Sequence, residues 1–291
     1  MVLTTLLWSS AGVVTRQLAH AQGFEVTFWR SFFTVVSLLL ILPLWQGPRV
    51  FARMPWRQGA FWLSGWCWAV MFTAFMVALT MTGVARVLVT MALGPLLTAL
   101  LARVVTGHRL PTRTWAAIVV AGIGIAWMYG SQVGLASARH VAGVAVALCV
   151  PVAGATNWTL MQHLHHGDDD SDDMLPAVMV GAWISALLTL PLALPLSASA
   201  HDVGLLALLG VVQLAIPCLL AMALTRVLKA PEISLLALLE VVFGVLWAWL
   251  GAGEAPSAPV LGGGALVLAA LVGNELLGLR HRESKGVVAR G

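Results

Sequence analysis

The chain has 291 residues, of which 60% are hydrophobic and 10% are charged. A soluble domain is roughly half apolar and about one quarter charged, so this chain carries more apolar surface than one aqueous core can enclose. Lipid is therefore the expected solvent for most of it. The net charge of +4 does not indicate a nucleic-acid partner, because most basic residues lie in short links between apolar runs.

Ten apolar runs are long enough to cross a bilayer, which takes about 20 residues in a helix. The predicted spans are 2–20, 25–46, 58–82, 84–104, 113–131, 140–164, 174–196, 203–228, 231–250 and 259–279. The fold class is therefore predicted to be an all-α integral membrane protein with ten transmembrane helices. The three cysteines, Cys67, Cys149 and Cys218, fall inside apolar runs and are predicted to be buried.

The distribution of Lys and Arg predicts how the spans are oriented. If the N-terminus is inside and the spans alternate, twelve of the sixteen basic residues lie in cytoplasmic links or in the C-terminal tail. The other four are Arg16, Arg30, Arg86 and Arg139. Cytoplasmic links carry an excess of basic residues, so both termini are predicted to be cytoplasmic. The small residues “AHA” at 19–21 are not read as a signal-peptide cleavage site, because Arg16 interrupts the apolar run before them.

The chain contains two related halves. A shift of 146 residues aligns 86–111 with 231–256 and pairs Gly107-His108 with Gly253-Glu254. The predicted halves are 1–138 and 139–280, with five spans each, and 281–291 forms a basic cytoplasmic tail. Because five is odd, the second half should cross the membrane in the opposite sense to the first. Inverted repeats are typical of secondary transporters, which bind substrate near the midplane where the repeats meet.

These features give the sequence a family resemblance. Five-plus-five spans, “GP” followed by “GH” in and after span 4, and “LLEVVFG” followed by “GE” in and after span 9 resemble the drug/metabolite transporter superfamily, EamA type. The many tryptophans and the W-x7-R opening at Trp8 and Arg16 resemble YddG-type exporters of aromatic amino acids. The resemblance implies alternating-access export of aromatic and other neutral amino acids. His108 departs from the family, which often has the glutamate found at Glu254.

A glutamate near the middle of span 9 is the main candidate for function. A charge at the centre of a membrane helix costs about 3 kcal/mol, so Glu240 should face the bundle, be paired or be protonated. It aligns with Gly94, which precedes the kink-forming Pro95. On a continuous helix Glu240 shares a face with Ala237 and Trp247. Glu240 could bind a substrate ammonium or a proton, or it could bind freed backbone groups without meeting substrate.

Aromatic and polar side chains at membrane depth supply the other candidates. Trp68, Phe72 and Phe75 form a stripe that could stack on a planar ligand or pack against helices and lipid. Arg30 could reach the membrane surface, hold Glu25 or capture a substrate carboxylate. The candidate substrate-binding residues are Trp8, Thr15, Trp68, Phe72, Phe75, Thr90, Gly94, Asn157, Trp158, Gln213 and Glu240. The candidate hinge residues are Pro95, Pro151 and Pro217.

Other functions receive less support from the sequence. “HLHHGDDDSDD” at 163–173 lacks a fixed metal-ligand spacing, and the glycines at 121–126 and 262–265 predict close helix contacts rather than a phosphate loop. No cofactor or metal is therefore predicted. The chain is interpreted as a monomeric exporter of small organic metabolites in the bacterial inner membrane, either secondary-active, with a proton as a candidate coupling ion, or facilitative. The alternatives are an exporter of cationic drugs anchored by Glu240, an integral-membrane enzyme, and a structural or sensory membrane protein.

Overall fold

In a computed structural model the chain folds as a bundle of helices. The structure describes residues 1–15, 17–18, 23–81, 87, 90–107, 111–129, 138–164, 174–252 and 257–288. Within these ranges the helices are α1 (Val2–Trp8), α2 (Ala11–Thr15), α3 (Phe24–Gln46), α4 (Gly59–Met81), α5 (Gly94–Thr106), α6 (Thr112–Tyr129), α7 (Ala138–Leu164), α8 (Ala177–Ala193), α9 (Ala200–Leu208), α10 (Ile216–Leu224), α11 (Ala230–Ala237), α12 (Leu239–Ala252) and α13 (Ala258–Val288). A π-helical segment, Leu209–Ala215, joins α9 to α10.

The lengths and composition of these helices define a multi-pass membrane protein. Five helical stretches are long and apolar enough to cross a membrane, namely Phe24–Gln46, Gly59–Leu79, Val141–Leu164, Ala200–Leu224 and Ala230–Trp247. Shorter apolar helices are Val2–Thr15, Gly94–Val105, Thr112–Trp127, Ala177–Ala193 and Ala258–Asn274. Each predicted span overlaps one of these stretches. The predicted number of ten crossings and their orientation stay predictions.

Spans 4 and 9 are interrupted at equivalent places. In span 4 the helix opens into a turn at Ala92 and Leu93, where the Leu93 N–H bonds the carbonyl of Thr90 at 3.1 Å. In span 9 a turn at Leu238 separates α11 from α12, and the Leu238 N–H bonds the carbonyl of Leu235 at 3.1 Å. The shift of 146 residues carries Ala92 onto Leu238. Both interruptions therefore come at the same point of the two halves.

The principal contacts cross between the two halves rather than staying within one. Helix α3 packs on α8, α4 packs on α7 and α8, α5 packs on α7 and α11, and α6 packs on α13. Glycines make two of these approaches close. A Cβ on Gly181 would meet the Trp68 Cβ and, at 2.8 Å, the Gly65 carbonyl, and a Cβ on Gly124 would meet the Gly263 carbonyl at 2.6 Å. The second pair bears out the prediction of close helix contacts at the glycine-rich stretches 121–126 and 262–265, and it shows that these stretches contact each other.

Two sequence expectations need correction or restriction. Cys149 is exposed, not buried, because it lies on the outer side of α7, where an apolar side chain meets lipid rather than the core. Cys67 and Cys218 are buried, as predicted. The segment predicted as a tail begins as the continuation of α13, which runs to Val288. Several residues used above lie outside the described ranges, namely Arg16, Arg86, His108, residues 168–173 and Glu254.

Candidate functional site

A cavity of about 150 Å³ lies inside the bundle, between the two halves. Its lining comes from α1, α4, α5, α7, α10, α11, α12 and the π-helical segment, which belong to spans 1, 3, 4, 6, 8 and 9, and from α3 of span 2. Gly94 and Glu240 both line it, so the interrupted parts of spans 4 and 9 border the same space. The proline candidates Pro95 and Pro151 also line it.

Aromatic rings form much of the cavity wall. Trp68 and Phe72 lie one turn apart on α4, with ring centroids 5.5 Å apart. Trp158 of α7 meets Trp68 edge to face, with centroids 5.6 Å apart. Phe75, one further turn along α4, and Trp8 of α1 complete the aromatic lining. Such a wall offers both faces and edges of rings to a flat apolar ligand.

Glu240 brings a carboxylate to this apolar wall. It is the second residue of α12, directly after the turn that interrupts span 9. Its side chain is half-buried and has no hydrogen bond from any residue within the described ranges. It interacts electrostatically with Arg30 across the cavity, but no ion pair joins the two in this part of the chain.

Arg30 is a cavity residue that the predicted set of binding residues omits. It is 2% exposed, on the inner face of α3, and its Nη2 donates to the Phe72 carbonyl at 3.2 Å. Its Nε has no partner among the residues that the structure describes. Glu25, the partner considered from the sequence, instead accepts bonds from the N–H groups of Ser197 and Ala198, both at 2.8 Å. The signal in the sequence for a role of Arg30 in the cavity was a single arginine within the apolar run of span 2.

The π-helical segment positions Gln213 at the cavity. Its Nε2 donates to the Trp8 carbonyl at 3.1 Å, while its Oε1 is buried with no partner in the described part of the chain. Pro217 is the second residue of the following helix and has no N–H with which to bond the Gln213 carbonyl four residues earlier. The irregular helix thus lies beside the cavity, where non-helical backbone is tolerated at membrane depth.

Four predicted residues do not line the cavity, namely Thr15, Thr90, Asn157 and Pro217. The Thr15 hydroxyl bonds the Ala11 carbonyl at 2.8 Å, within its own helix. The Asn157 side chain is fully buried, accepts a bond from the Ser64 hydroxyl at 2.7 Å and packs on Met222. Asn157 therefore joins α7 to α4 through an interhelical hydrogen bond.

The cavity has an apolar wall that carries a few polar and charged side chains. Within the described ranges no three His, Cys, Asp or Glu side chains come together as a metal site. The cavity instead combines rings with a guanidinium, an amide and a carboxylate from different helices. These groups can hold a small molecule that has an apolar body and charged ends.

Comparison with known proteins identifies the class. The chain matches the EamA-like transporter family over residues 1–130 and 141–274, once in each half. It belongs to this family, whose members are membrane transporters of small molecules. A protein of known crystal structure shares the fold, with a TM-score of 0.78 over 96% of both chains and 18% sequence identity. At that identity the likeness shows the fold alone. A search of curated protein sequences gives no match.

Proposed function

We propose that this transporter exports aromatic and other neutral amino acids by alternating access around the central cavity. The observation that carries the proposal is the pair of interruptions in spans 4 and 9, at equivalent positions, beside a cavity with an aromatic wall. Interrupted spans in corresponding positions of two repeats indicate the binding site in secondary transporters. The aromatic lining favours a substrate with a flat apolar side chain.

The same proposal includes the arrangement in the membrane. The halves 1–138 and 139–280 would be inverted repeats with ten crossings, and both termini would be cytoplasmic. The contacts support inverted repeats, because corresponding spans of the two halves make corresponding contacts. Helix α4 of span 3 packs on α7 of span 6, as α10 of span 8 packs on α1 of span 1. Helix α5 of span 4 packs on α7 of span 6, as α12 of span 9 packs on α1 of span 1. A monomer in the bacterial inner membrane would suffice, since both halves that line the cavity belong to one chain.

Flux into proteoliposomes tests the function. Purified protein is reconstituted, and uptake of radiolabelled tryptophan, phenylalanine and leucine is measured with and without a pH gradient. The proposal predicts saturable uptake that is faster for the aromatic pair than for leucine. Absence of uptake of all three by folded protein would contradict it. If a proton is coupled through Glu240, Glu240→Gln will abolish the response to the pH gradient, and an unchanged response would remove that role.

An exporter of cationic drugs is the second candidate, and the Glu240 carboxylate in an aromatic cavity favours it. Cations bind both to carboxylates and to the faces of aromatic rings. The discriminating observation is competition in the same vesicles. Hydrophobic cations that compete with labelled tryptophan more strongly than unlabelled phenylalanine would favour the drug exporter.

A further inference from the structure

Residues that line the cavity have unused hydrogen-bonding capacity of both kinds. Two buried donors, Arg30 Nε and Trp68 Nε1, and one buried acceptor, Gln213 Oε1, have no partner within the described ranges. Glu240 adds a carboxylate with no bond from that part of the chain. Buried polar groups are bonded in the great majority of cases, so several exceptions around one cavity indicate a missing partner. That partner must present acceptors and donors together.

The donors and the acceptors are grouped differently around the cavity. Arg30 binds the Phe72 carbonyl, and the Trp68 ring packs against Phe72, so both donors lie near one residue of α4. Gln213 binds the Trp8 carbonyl on α1. Glu240 lies on α12, which contacts α1 and whose Trp247 donates to the Leu6 carbonyl at 3.2 Å. Both acceptors therefore lie on elements that contact α1.

The two opposite charges are kept apart rather than paired. Arg30 and Glu240 interact electrostatically across the cavity, but they form no ion pair among the described residues. Unpaired charges are strongly disfavoured at membrane depth, and a partner for each removes that penalty. A ligand with an anion and a cation at neighbouring atoms would supply both partners at once.

We propose that Arg30, with Trp68 Nε1, binds the carboxylate of the substrate, and that Glu240, with Gln213 Oε1, binds its ammonium. The side chain of the substrate then lies against the aromatic wall. This inference rests on the proposed function and deepens it: the site selects α-amino acid zwitterions over molecules that carry only one of the two charges. It assigns Arg30 a binding role and makes an aromatic cation a weaker ligand than the amino acid.

The guanidinium suits this role in its geometry as well as its charge. Its five N–H donors form a planar fork that matches a carboxylate at two points. The Phe72 carbonyl occupies one donor and fixes the plane of the fork. A lysine at this position would keep the charge and lose the two-point match. Arg30→Lys is therefore a conservative variant with a specific expected defect.

Three ligands with one ring system test the inference. They are tryptophan, tryptamine, which lacks the carboxylate, and indole-3-propionate, which lacks the ammonium. Binding to purified full-length protein in detergent is measured by calorimetry for wild type, Arg30→Lys and Glu240→Gln. Arg113→Lys is the matched control, because Arg113 also has a buried Nε without a described partner but lies outside the cavity lining. Thermal unfolding of each variant shows that it is folded.

The expected pattern couples each residue to one end of the ligand. Wild type should bind tryptophan at least about tenfold more tightly than either analogue, because the loss of one charge-assisted hydrogen bond usually lowers affinity by about tenfold or more. Arg30→Lys should weaken the binding of tryptophan and indole-3-propionate about tenfold and leave the binding of tryptamine unchanged. Glu240→Gln should weaken the binding of tryptophan and tryptamine and leave the binding of indole-3-propionate unchanged. Arg113→Lys should match wild type for all three.

Other outcomes overturn the inference in distinguishable ways. If wild-type vesicles transport tryptophan but tryptamine binds as tightly as tryptophan, the inference is wrong and the transport function stands. If Arg30→Lys weakens all three ligands alike, Arg30 has a structural role only. If Arg30→Lys does not fold, the wild-type ligand series and Glu240→Gln still decide. Absence of both tryptophan binding and tryptophan flux would overturn the inference together with the proposed function.

Discussion

Arg30 on α3 and Glu240 on α12 face one cavity from opposite halves of the chain, and no ion pair joins them within the described ranges. The guanidinium is held by a backbone carbonyl of α4, and the carboxylate follows an interruption of span 9. In the proposed binding mode this separation matters, because a closed ion pair would occupy the groups that bind the two ends of the substrate.

The aromatic wall should determine selectivity between side chains. Phe75→Leu removes a ring that lines the cavity and leaves a side chain of similar volume. We expect the affinity for tryptophan to fall about fivefold while that for leucine changes less than twofold, because ring contacts are worth about 0.5 to 1.5 kcal/mol beyond burial. Competition for labelled tryptophan uptake measures both. Phe61→Leu is the control, since Phe61 is fully buried outside the cavity, and equal effects of the two variants would contradict the assignment.

The space beside Gly94 should be needed for substrate. A Cβ there would lie 3.4 Å from the Ser234 hydroxyl and 3.7 Å from the Pro151 Cβ, which are ordinary contacts. Gly94→Ala should therefore fold and transport, whereas Gly94→Leu should extend into the cavity and lower uptake more than tenfold. Gly122→Leu is the control, because a Cβ on Gly122 meets nothing within 4 Å. Normal uptake by Gly94→Leu would show that substrate passes elsewhere.

Gly181 should be required for the close contact of α8 with α4. A Cβ at this position would collide with the Trp68 Cβ and approach the Gly65 carbonyl at 2.8 Å, and neither the Cβ nor the backbone can move aside easily. We expect Gly181→Ala to destabilise the protein by about 1–3 kcal/mol through overpacking. The apparent Tm in detergent should fall by several degrees. Gly204→Ala, where a Cβ meets nothing within 4 Å, should leave the Tm unchanged or raise it.

Glu25 should stabilise the link between α8 and α9. One carboxylate oxygen accepts from the N–H groups of Ser197 and Ala198, and the other accepts from the Ser197 hydroxyl at 2.8 Å. Glu25→Ala leaves these donors without that acceptor, and we expect a loss of about 1–3 kcal/mol, read as a lower Tm. Glu25→Gln keeps an acceptor oxygen and should lose less. Glu232→Ala, which removes one exposed bond to Lys229, should also lose less than Glu25→Ala; the reverse order would contradict the assignment.

The helix positions could be predicted from the sequence, because apolar runs between charged links mark the spans wherever lipid is the solvent. The interruption at Leu238 could not, because hydropathy does not change across it. Ala237 and Glu240, on either side of this turn, both line the cavity. Trp247, two turns further along α12, does not line it and donates to the Leu6 carbonyl at 3.2 Å.

The contacts made by polar side chains within the spans could not be predicted from the sequence either. Asn157 and Arg30 both lie at membrane depth, and the predicted set of substrate-binding residues includes Asn157 but not Arg30. In the structure Ser64 of α4 bonds Asn157, whereas Arg30 bonds the Phe72 carbonyl and lines the cavity. Which helix lies opposite a polar side chain follows from packing between the halves, and local sequence does not contain it.

Binding of an amino acid in the cavity between the halves can be tested by anomalous diffraction from crystals grown with bromotryptophan, which locates the bromine atom directly. We expect one strong peak beside Trp68 and Phe72, lost in Gly94→Leu crystals and displaced by excess tryptophan. A peak outside the cavity, or none in crystals of protein that transports bromotryptophan, would contradict it.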